Sequence, residues 1–317
     1  MKEENQTVSI RLSSFASSFE PAHFPVASLL PGGKAEFLSV KTAEDMIARL
    51  MERKASHFHL HNPTESVLDL CMEKSSTFTI SFDRIPPRKV FPLLKPYVVQ
   101  VPSLSFHTIF RQNGIKAKVV HPLPREQIRQ SAGRKEARQT LRVGDRLCVW
   151  VDENLVPPSF RFALFQALQS ALKDDPRFKT IWVTKRISFA KNHMVSLNPD
   201  VARGKALWLA ADLLLTVGGF SQSFAPLHIQ SLYQRIPVMT DRAGDHGEWV
   251  NHLYSGILID KKNISKELRH YFHRLARDRG LLEQFRLNGH RLVQKIIGAK
   301  WDGSEKTDSQ YHYSDKR

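Results

Sequence analysis

The feature that most constrains this chain is an alternation of short apolar runs with longer amphipathic segments. Ala35–Val40 reads as a strand, and Ala43–Lys54, with Met46, Ile47, Leu50 and Met51 at helical spacing, as a helix. Ser56–Leu60 reads as a strand ending at the turn pair Asn62-Pro63, and Glu65–Lys74 as a helix. Thr77–Phe82 and Val98–Pro102 follow as strands, Phe106–Asn113 as a helix stopped by Gly114, and Ala117–His121 as a strand. Strands separated by helices imply parallel sheets, because parallel neighbours need long crossover connections. No repeat at a fixed period underlies the pattern.

The alternation restarts after Pro122. Arg125–Arg142 is a polar helix, Arg146–Val151 a strand, Phe160–Lys173 a helix and Lys179–Thr184 a strand. Lys205–Ala211 and Pro226–Gln234 read as helices, and Leu213–Val217, Pro237–Thr240 and Gly256–Ile259 as strands. Ile264–Leu275 and Leu281–Ile297 read as closing helices. With 317 residues, about two domains are expected. The restart divides them into 1–122 and 123–301, followed by a polar tail, 302–317. The expected class is α/β: two Rossmann-like units facing a cleft, the first of them shortened.

Composition narrows the partners. At 41% hydrophobic and 25% charged residues the chain can bury a proper core. Its longest apolar runs, such as Leu207–Val217, fall well short of the roughly 20 residues of a membrane helix. The opening Met-Lys-Glu-Glu-Asn has no apolar leader, so a cytoplasmic protein is expected, with peripheral contact at the inner membrane face as an extension. Two cysteines, Cys71 and Cys148, sit apart in apolar contexts and read as small hydrophobes in a reducing compartment.

The net charge of +16 favours an anionic partner. The basic residues are spread rather than blocked, and no zinc-finger, RNP or helix-turn-helix pattern accompanies them, so nucleic acid is the weakest of the acidic partners. Lys261, Lys262, Lys266, Arg269 and His270 could meet an anionic lipid surface or form a solvated helix face. His57, His59 and His61 would share one face of a strand; they are either a zinc set or, more simply, a strand end near a cleft. His228 and His246 flank the cleft and read as surface or hydrogen-bonded histidines rather than as acid or base. Trp150, Trp182, Trp208 and Trp249 read as core.

The segment from Ala210 to Asp260 carries more information: AADLLLTVGGFSQSFAPLHIQSLYQRIPVMTDRAGDHGEWVNHLYSGILID. It holds a helix end at Ala211-Asp212, a buried strand, the glycine loop Gly218–Phe224, a helix, the strand start Ile236-Pro237-Val238, the turn Asp241–Glu248 and the strand Gly256–Ile259. This order resembles the donor-binding stretch of the family-4 GT-B glycosyltransferases (glycosyl transferases group 1). Weaker likeness runs through HLHNP at 59–63, TFTISFD at 77–83 and PSLSFHTIFRQNGIKAKVVHP at 102–122, so that the resemblance covers roughly 57–301.

The resemblance implies a donor site for a nucleotide-diphospho-sugar, with diphosphate at a helix start and no metal or other cofactor. Its donor-binding candidates here are Gly218, Gly219, Gln222, Ser223, Phe224, Ala225, Gln230 and Glu248. Gly218-Gly219 also has a plain reading, as the tight strand exit any α/β unit needs. The family's two glutamates fall on Gln222 and Gln230, which keep the eight-residue spacing and lose both charges. Its Arg/Lys pair, which neutralises the leaving diphosphate, falls on Asn154 and Ser159, and its acceptor-side histidine on Phe82. Asp152 and Glu153 nearby would repel a diphosphate, while Lys185, Arg186, Arg203 or Lys205 could replace the missing cations.

Three functions follow as expectations: retaining transfer of a sugar to an unknown acceptor; a pseudo-glycosyltransferase that binds a glycan, a nucleotide or a partner glycosyltransferase; and an acidic-polymer or nucleic-acid binder. The sequence leaves open whether the chain is an enzyme.

Overall fold

The computed structural model describes residues 7–12, 35–40, 57–63, 65–72, 77–122, 124, 133–173, 175–184, 194–197, 205–219 and 222–301. The helix read at Ala43–Lys54, the first half of the one at Arg125–Arg142, and the 302–317 tail lie outside these residues.

Among the described residues, twelve strands form two six-stranded sheets. The first contains β1 (Thr7–Leu12), β2 (Ala35–Val40), β3 (His57–His61), β4 (Thr77–Ser81), β5 (Val98–Val101) and β6 (Lys116–Val119), in the order β2-β1-β3-β4-β5-β6. All its pairings are parallel. Its helices among the described residues are α1 (Glu65–Met72), the single turn α2 (Phe91–Leu94) and α3 (Leu104–Gln112). Leu60, Val67, Leu68, Ile80, Phe82, Val99, Phe106 and Phe110 make its core. The edge strand β6 exposes Lys116 and Lys118, charges that discourage pairing with another chain.

The second sheet contains β7 (Leu147–Asp152), β8 (Phe178–Val183), β9 (Met194–Leu197), β10 (Leu213–Thr216), β11 (Val238–Asp241) and β12 (Gly256–Ile259). Its order is β12-β11-β10-β7-β8-β9, again all parallel. Around it lie α4 (Arg134–Thr140), α5 (Arg161–Leu172), α6 (Lys205–Ala210), α7 (Ala225–Tyr233), the single turn α8 (His246–Trp249), α9 (Ile264–Arg277) and α10 (Arg279–Trp301).

Every residue of β7, β8, β10 and β11 is buried, as expected of a parallel sheet covered on both faces. The pleat sorts them: Leu147, Val149 and Val151 pack with α5 and α9 residues such as Leu168 and Phe272, while Cys148 and Trp150 pack with Leu207, Leu227 and Ile229. The Cys148 thiol is free and fully buried, and burial next to Asp212 pushes its pKa up, which leaves it inert.

Asp212, between α6 and β10, ties distant elements together. It accepts from Arg134 and Arg138 of α4 at 2.6 and 2.9 Å, from Arg286 of α10 at 2.5 Å, and from the Cys148 amide at 2.9 Å. Burial alone would raise its carboxyl; the Cys148 amide and the guanidiniums outweigh burial and hold it below the usual range.

The observed fold is α/β, with two Rossmann-like domains of parallel sheet facing a cleft, the first shortened. Strands β1 and β9 and the turns α2 and α8 add to what the sequence pattern suggested. Helix α3 starts two residues before Phe106, because the Ser103 side chain accepts from the Phe106 amide and caps it.

Candidate functional site

In the second sheet the strand order reverses between β7 and β10, so the crevice outside their carboxyl ends is where such a sheet takes a ligand. Two connections line it: the turns Glu153–Leu155 and Pro158–Phe160 after β7, and the loop that leaves β10 at Val217. Gly218 has to be glycine. A Cβ there would sit 2.5 and 2.7 Å from the His246 ring and 2.9 Å from Phe224. At Gly219 the nearest such atom, Pro157 Cγ, is 3.9 Å away.

Behind the loop lies a buried polar network. His246 Nδ1 is 2.7 Å from Asp241 Oδ1 and 2.8 Å from Thr240 Oγ1. The Thr216 hydroxyl donates to Thr240 at 2.9 Å and lies 2.9 Å from His228 Nε2. Both rings are fully buried, and desolvation together with nearby His246 lowers the His228 pKa well below 6.5, so His228 is neutral.

The start of α7 is already occupied by the protein's own oxygens. Asp245 accepts from the Phe224 amide at 3.1 Å and from the Ser223 hydroxyl, and the Ala225 amide donates to Ser223 Oγ at 3.1 Å. Pro226 has no amide hydrogen to offer. The Gly218 amide points at Asp241 Oδ1, 3.3 Å away. Burial raises the Asp245 pKa, partly offset by its bonds to Ser223 and Phe224.

The first domain meets this loop directly. The Ser223 amide donates to the Asp83 carbonyl at 2.6 Å, and Arg84 forms an isolated antiparallel bridge with Gln222. Asp83 anchors a cluster at the carboxyl end of β3 and β4. Asn62 donates to it at 2.6 Å, His61 Nε2 lies 3.4 Å away, and His59 and His61 both reach Ser81 Oγ, at 2.8 and 2.9 Å. Burial would raise the Asp83 carboxyl, but His61, Arg84 and Asn62 hold it well below the usual range. Among the described residues no group of three or more His, Cys, Asp or Glu could hold a metal.

A second junction lies at Glu248, in α8. Its carboxylate accepts from the amides of Leu104 and Ser105 at 2.8 and 2.7 Å and from the Ser105 hydroxyl at 2.5 Å. A side chain of one domain thus caps the N-terminus of α3 in the other, complementing its unsatisfied amides and its dipole. Beside it, the His121 and Trp249 rings meet edge to face, 4.9 Å apart.

No protein-family model and no curated protein matches this chain. Solved structures do. A glycosyltransferase from Rickettsia africae ESF-5 is 10% identical with a TM-score of 0.67, over 95% of this chain and 97% of that one. Sucrose-phosphate synthase from Thermosynechococcus elongatus is 11% identical with a TM-score of 0.66, over 94% and 98%. Anabaena HepE in complex with UDP-glucose is 14% identical with a TM-score of 0.67, over 93% and 97%. The chain has the GT-B fold.

Within this GT-B frame the residues singled out in the sequence separate. Gly218, Gly219, Gln222, Ser223, Phe224 and Ala225 lie between β10 and the first residue of α7, with Ser223, Phe224 and Ala225 buried, and Gln230 is buried inside α7. Glu248 faces α3 rather than the glycine loop. Phe82 is a core ring, 5.5 Å from Phe110. Asn154 lies in the turn after β7, and Ser159 is exposed in the next one. Glu153 is turned inward, accepting from Trp182 Nε1 at 3.1 Å and facing Arg161 at 3.9 Å. Lys185, Arg186 and Arg203 lie outside the described residues, and Lys205 opens α6.

Sequence reasoning missed the roles of Asp245 and Lys261. Lys261 was grouped with the exposed residues of α9, yet its ammonium donates to the Gly218 carbonyl at 3.1 Å. Lys266, Arg269, His270 and His273 instead line an open hollow on α9 with Ser265.

Proposed function

We propose that this GT-B chain binds a nucleotide-diphospho-sugar in the crevice at the carboxyl ends of β7 and β10, as a glycosyltransferase-type protein. If it turns over, the reaction is retaining transfer to an acceptor held by the first domain. One observation carries the reading: the glycine loop after β10 lies at the strand-order reversal and touches Asp83 and Arg84 of the opposite domain. The reading is also supported by whole-chain likeness to Anabaena HepE in complex with UDP-glucose and by the likeness to S. aureus MnaA with UDP. It takes the domain boundary near residue 123.

The test is calorimetric titration with UDP, ADP, GDP and their sugar conjugates, followed by mass-spectrometric detection of glycosyl products. Saturable binding of one nucleotide series is expected. Absence of binding across the panel would remove this reading.

A catalytically impaired form of the same protein is favoured by a separate observation. The Phe224 amide, at the helix start where a phosphate would bind, is engaged by Asp245. Binding without turnover is the expected signature.

No described helix is long and apolar enough to cross a membrane. A peripheral contact with an anionic membrane or acidic polymer is supported by the basic outer face of α9, with Lys266, Arg269 and His270 exposed.

A further inference from the structure

We propose that Lys261 is the cation that receives the diphosphate of the donor, an inference that rests on the nucleotide-sugar reading above. Lys261 follows β12, at the outer edge of the second sheet. Its ammonium nevertheless reaches the centre of the sheet. Nζ lies 3.1 Å from the Gly218 carbonyl oxygen after β10, 4.0 Å from Asp241 Oδ2 at the end of β11, and 4.6 Å from the centroid of the Phe160 ring after β7. These three contacts, one from each of three neighbouring strands, set a positive charge over the β10–β7 reversal, where a ligand of such a sheet sits.

The sequence resemblance leaves this spot without charge, because Asn154 and Ser159 are neutral. Phe160, the residue after Ser159, is the ring over which Lys261 lies, so a cation arrives from another strand next to the position that lost one. It also has capacity left. An ammonium has three donors, and among the described residues the Gly218 carbonyl is the one acceptor within hydrogen-bond distance, since Asp241 Oδ2 is 4.0 Å away. The side chain is 36% exposed, open enough to meet a ligand. Among the described residues, Arg161 donates to the Val156 carbonyl and faces Glu153, and Arg84 lies against Asp83. A compact ammonium on a flexible stem suits a diphosphate, whose charge moves between bridging and terminal oxygens as the sugar leaves.

The rival role is structural: Lys261 could do no more than balance Asp241. Calorimetry separates the two. UDP, ADP and GDP, and the corresponding nucleosides, are titrated into wild type, Lys261→Gln, Lys261→Arg and the exposed neighbour Lys262→Gln, with melting temperature recorded for each. Lys261→Gln is expected to weaken the preferred diphosphate about tenfold or more while leaving its nucleoside unchanged. Lys261→Arg should retain most of the affinity, and Lys262→Gln should match wild type. Equal diphosphate affinity in wild type and Lys261→Gln would overturn the assignment, as would a parallel loss for nucleoside and diphosphate. If wild type binds no nucleoside diphosphate, the nucleotide-sugar reading falls and takes this assignment with it.

Discussion

Asp245 accepts the amide hydrogen of Phe224 at 3.1 Å, so a carboxylate of the protein occupies the N-terminal end of α7. A helix start of this kind attracts anions, because its first amides have no partner within the helix and the dipole is positive there. Removing the carboxylate should free it. Asp245→Ala is expected to tighten nucleoside-diphosphate binding several-fold and to lower stability by about 1–3 kcal/mol, since Ser223 and Phe224 lose a buried partner. Asp245→Asn, which can still accept from Phe224, should keep wild-type affinity. Calorimetry and urea unfolding report both; unchanged affinity in Asp245→Ala would show that the amide is not a phosphate contact.

The second contact between the domains can be broken separately. Glu248→Ala removes the acceptor of the Leu104 and Ser105 amides. A lost N-terminal cap costs about 0.5–2 kcal/mol. Because this cap bridges two domains, the expected result is a larger radius of gyration by small-angle scattering and faster proteolysis between the domains. Glu248→Gln should fall in between, retaining an acceptor and losing the charge.

Gly218 and Gly219 are neighbours with opposite tolerances. Gly218→Ala drives a methyl into the His246 and Phe224 rings, both buried, and should cost about 1–3 kcal/mol. Gly219→Ala meets nothing closer than Pro157 Cγ at 3.9 Å and should be nearly neutral. Equal melting temperatures for the two variants would contradict the close packing.

Asp212 sets part of the acid limit. Its folded pKa is lowered, so the folded state binds fewer protons than the unfolded one near and below the ordinary carboxylate value of about 3.9. Its contribution is therefore complete above that value and is lost as pH falls through the lowered pKa. Asp245, raised by burial, has the opposite slope, losing stability as pH rises from the same value through its raised pKa. Asp212→Asn should cost about 3–5 kcal/mol at neutral pH, because Arg134, Arg138 and Arg286 lose their shared partner. It should also flatten the acid limb of a stability-versus-pH curve.

Much of the fold was legible because parallel strands buried on both faces leave continuous apolar runs: the runs at β7, β8 and β10 read directly, and their ends shift by no more than one residue. Strand β1 carries an alternation of its own, Val8, Ile10 and Leu12 against Ser9 and Arg11. The single turn α8 is too short to leave a helical period. The glycine loop was readable from the order of elements around it. What fills it was not: Asp245 lies 21 residues from Phe224, Lys261 lies 43 from Gly218, and Glu248 lies 144 from Leu104. Contacts made by tertiary packing across loops and domains have no spacing rule that a single sequence displays.

The same geometry bears on catalysis. If wild type binds a nucleotide-sugar without turning it over, Gln222→Glu and Gln230→Glu together should not create activity. Glycosyl transfer loads negative charge onto the departing diphosphate, and a missing preorganised donor at such a point costs roughly 3–4 kcal/mol, or two to three decades in rate. The two glutamates would act on hydroxyls instead. At position 230 the new carboxylate would also be buried, since Gln230 is 5% exposed, so that substitution should destabilise the protein as well. Lys261 supplies at most one of the two cations that Asn154 and Ser159 lack. Ser159→Lys adds the second at an exposed turn next to Phe160, where a long side chain can reach the crevice without disturbing the core. Turnover, assayed by product mass, is therefore expected to rise in Gln222→Glu/Ser159→Lys before it rises in the double glutamate variant. Activity in the double glutamate variant alone would mean that leaving-group charge is not what limits this protein.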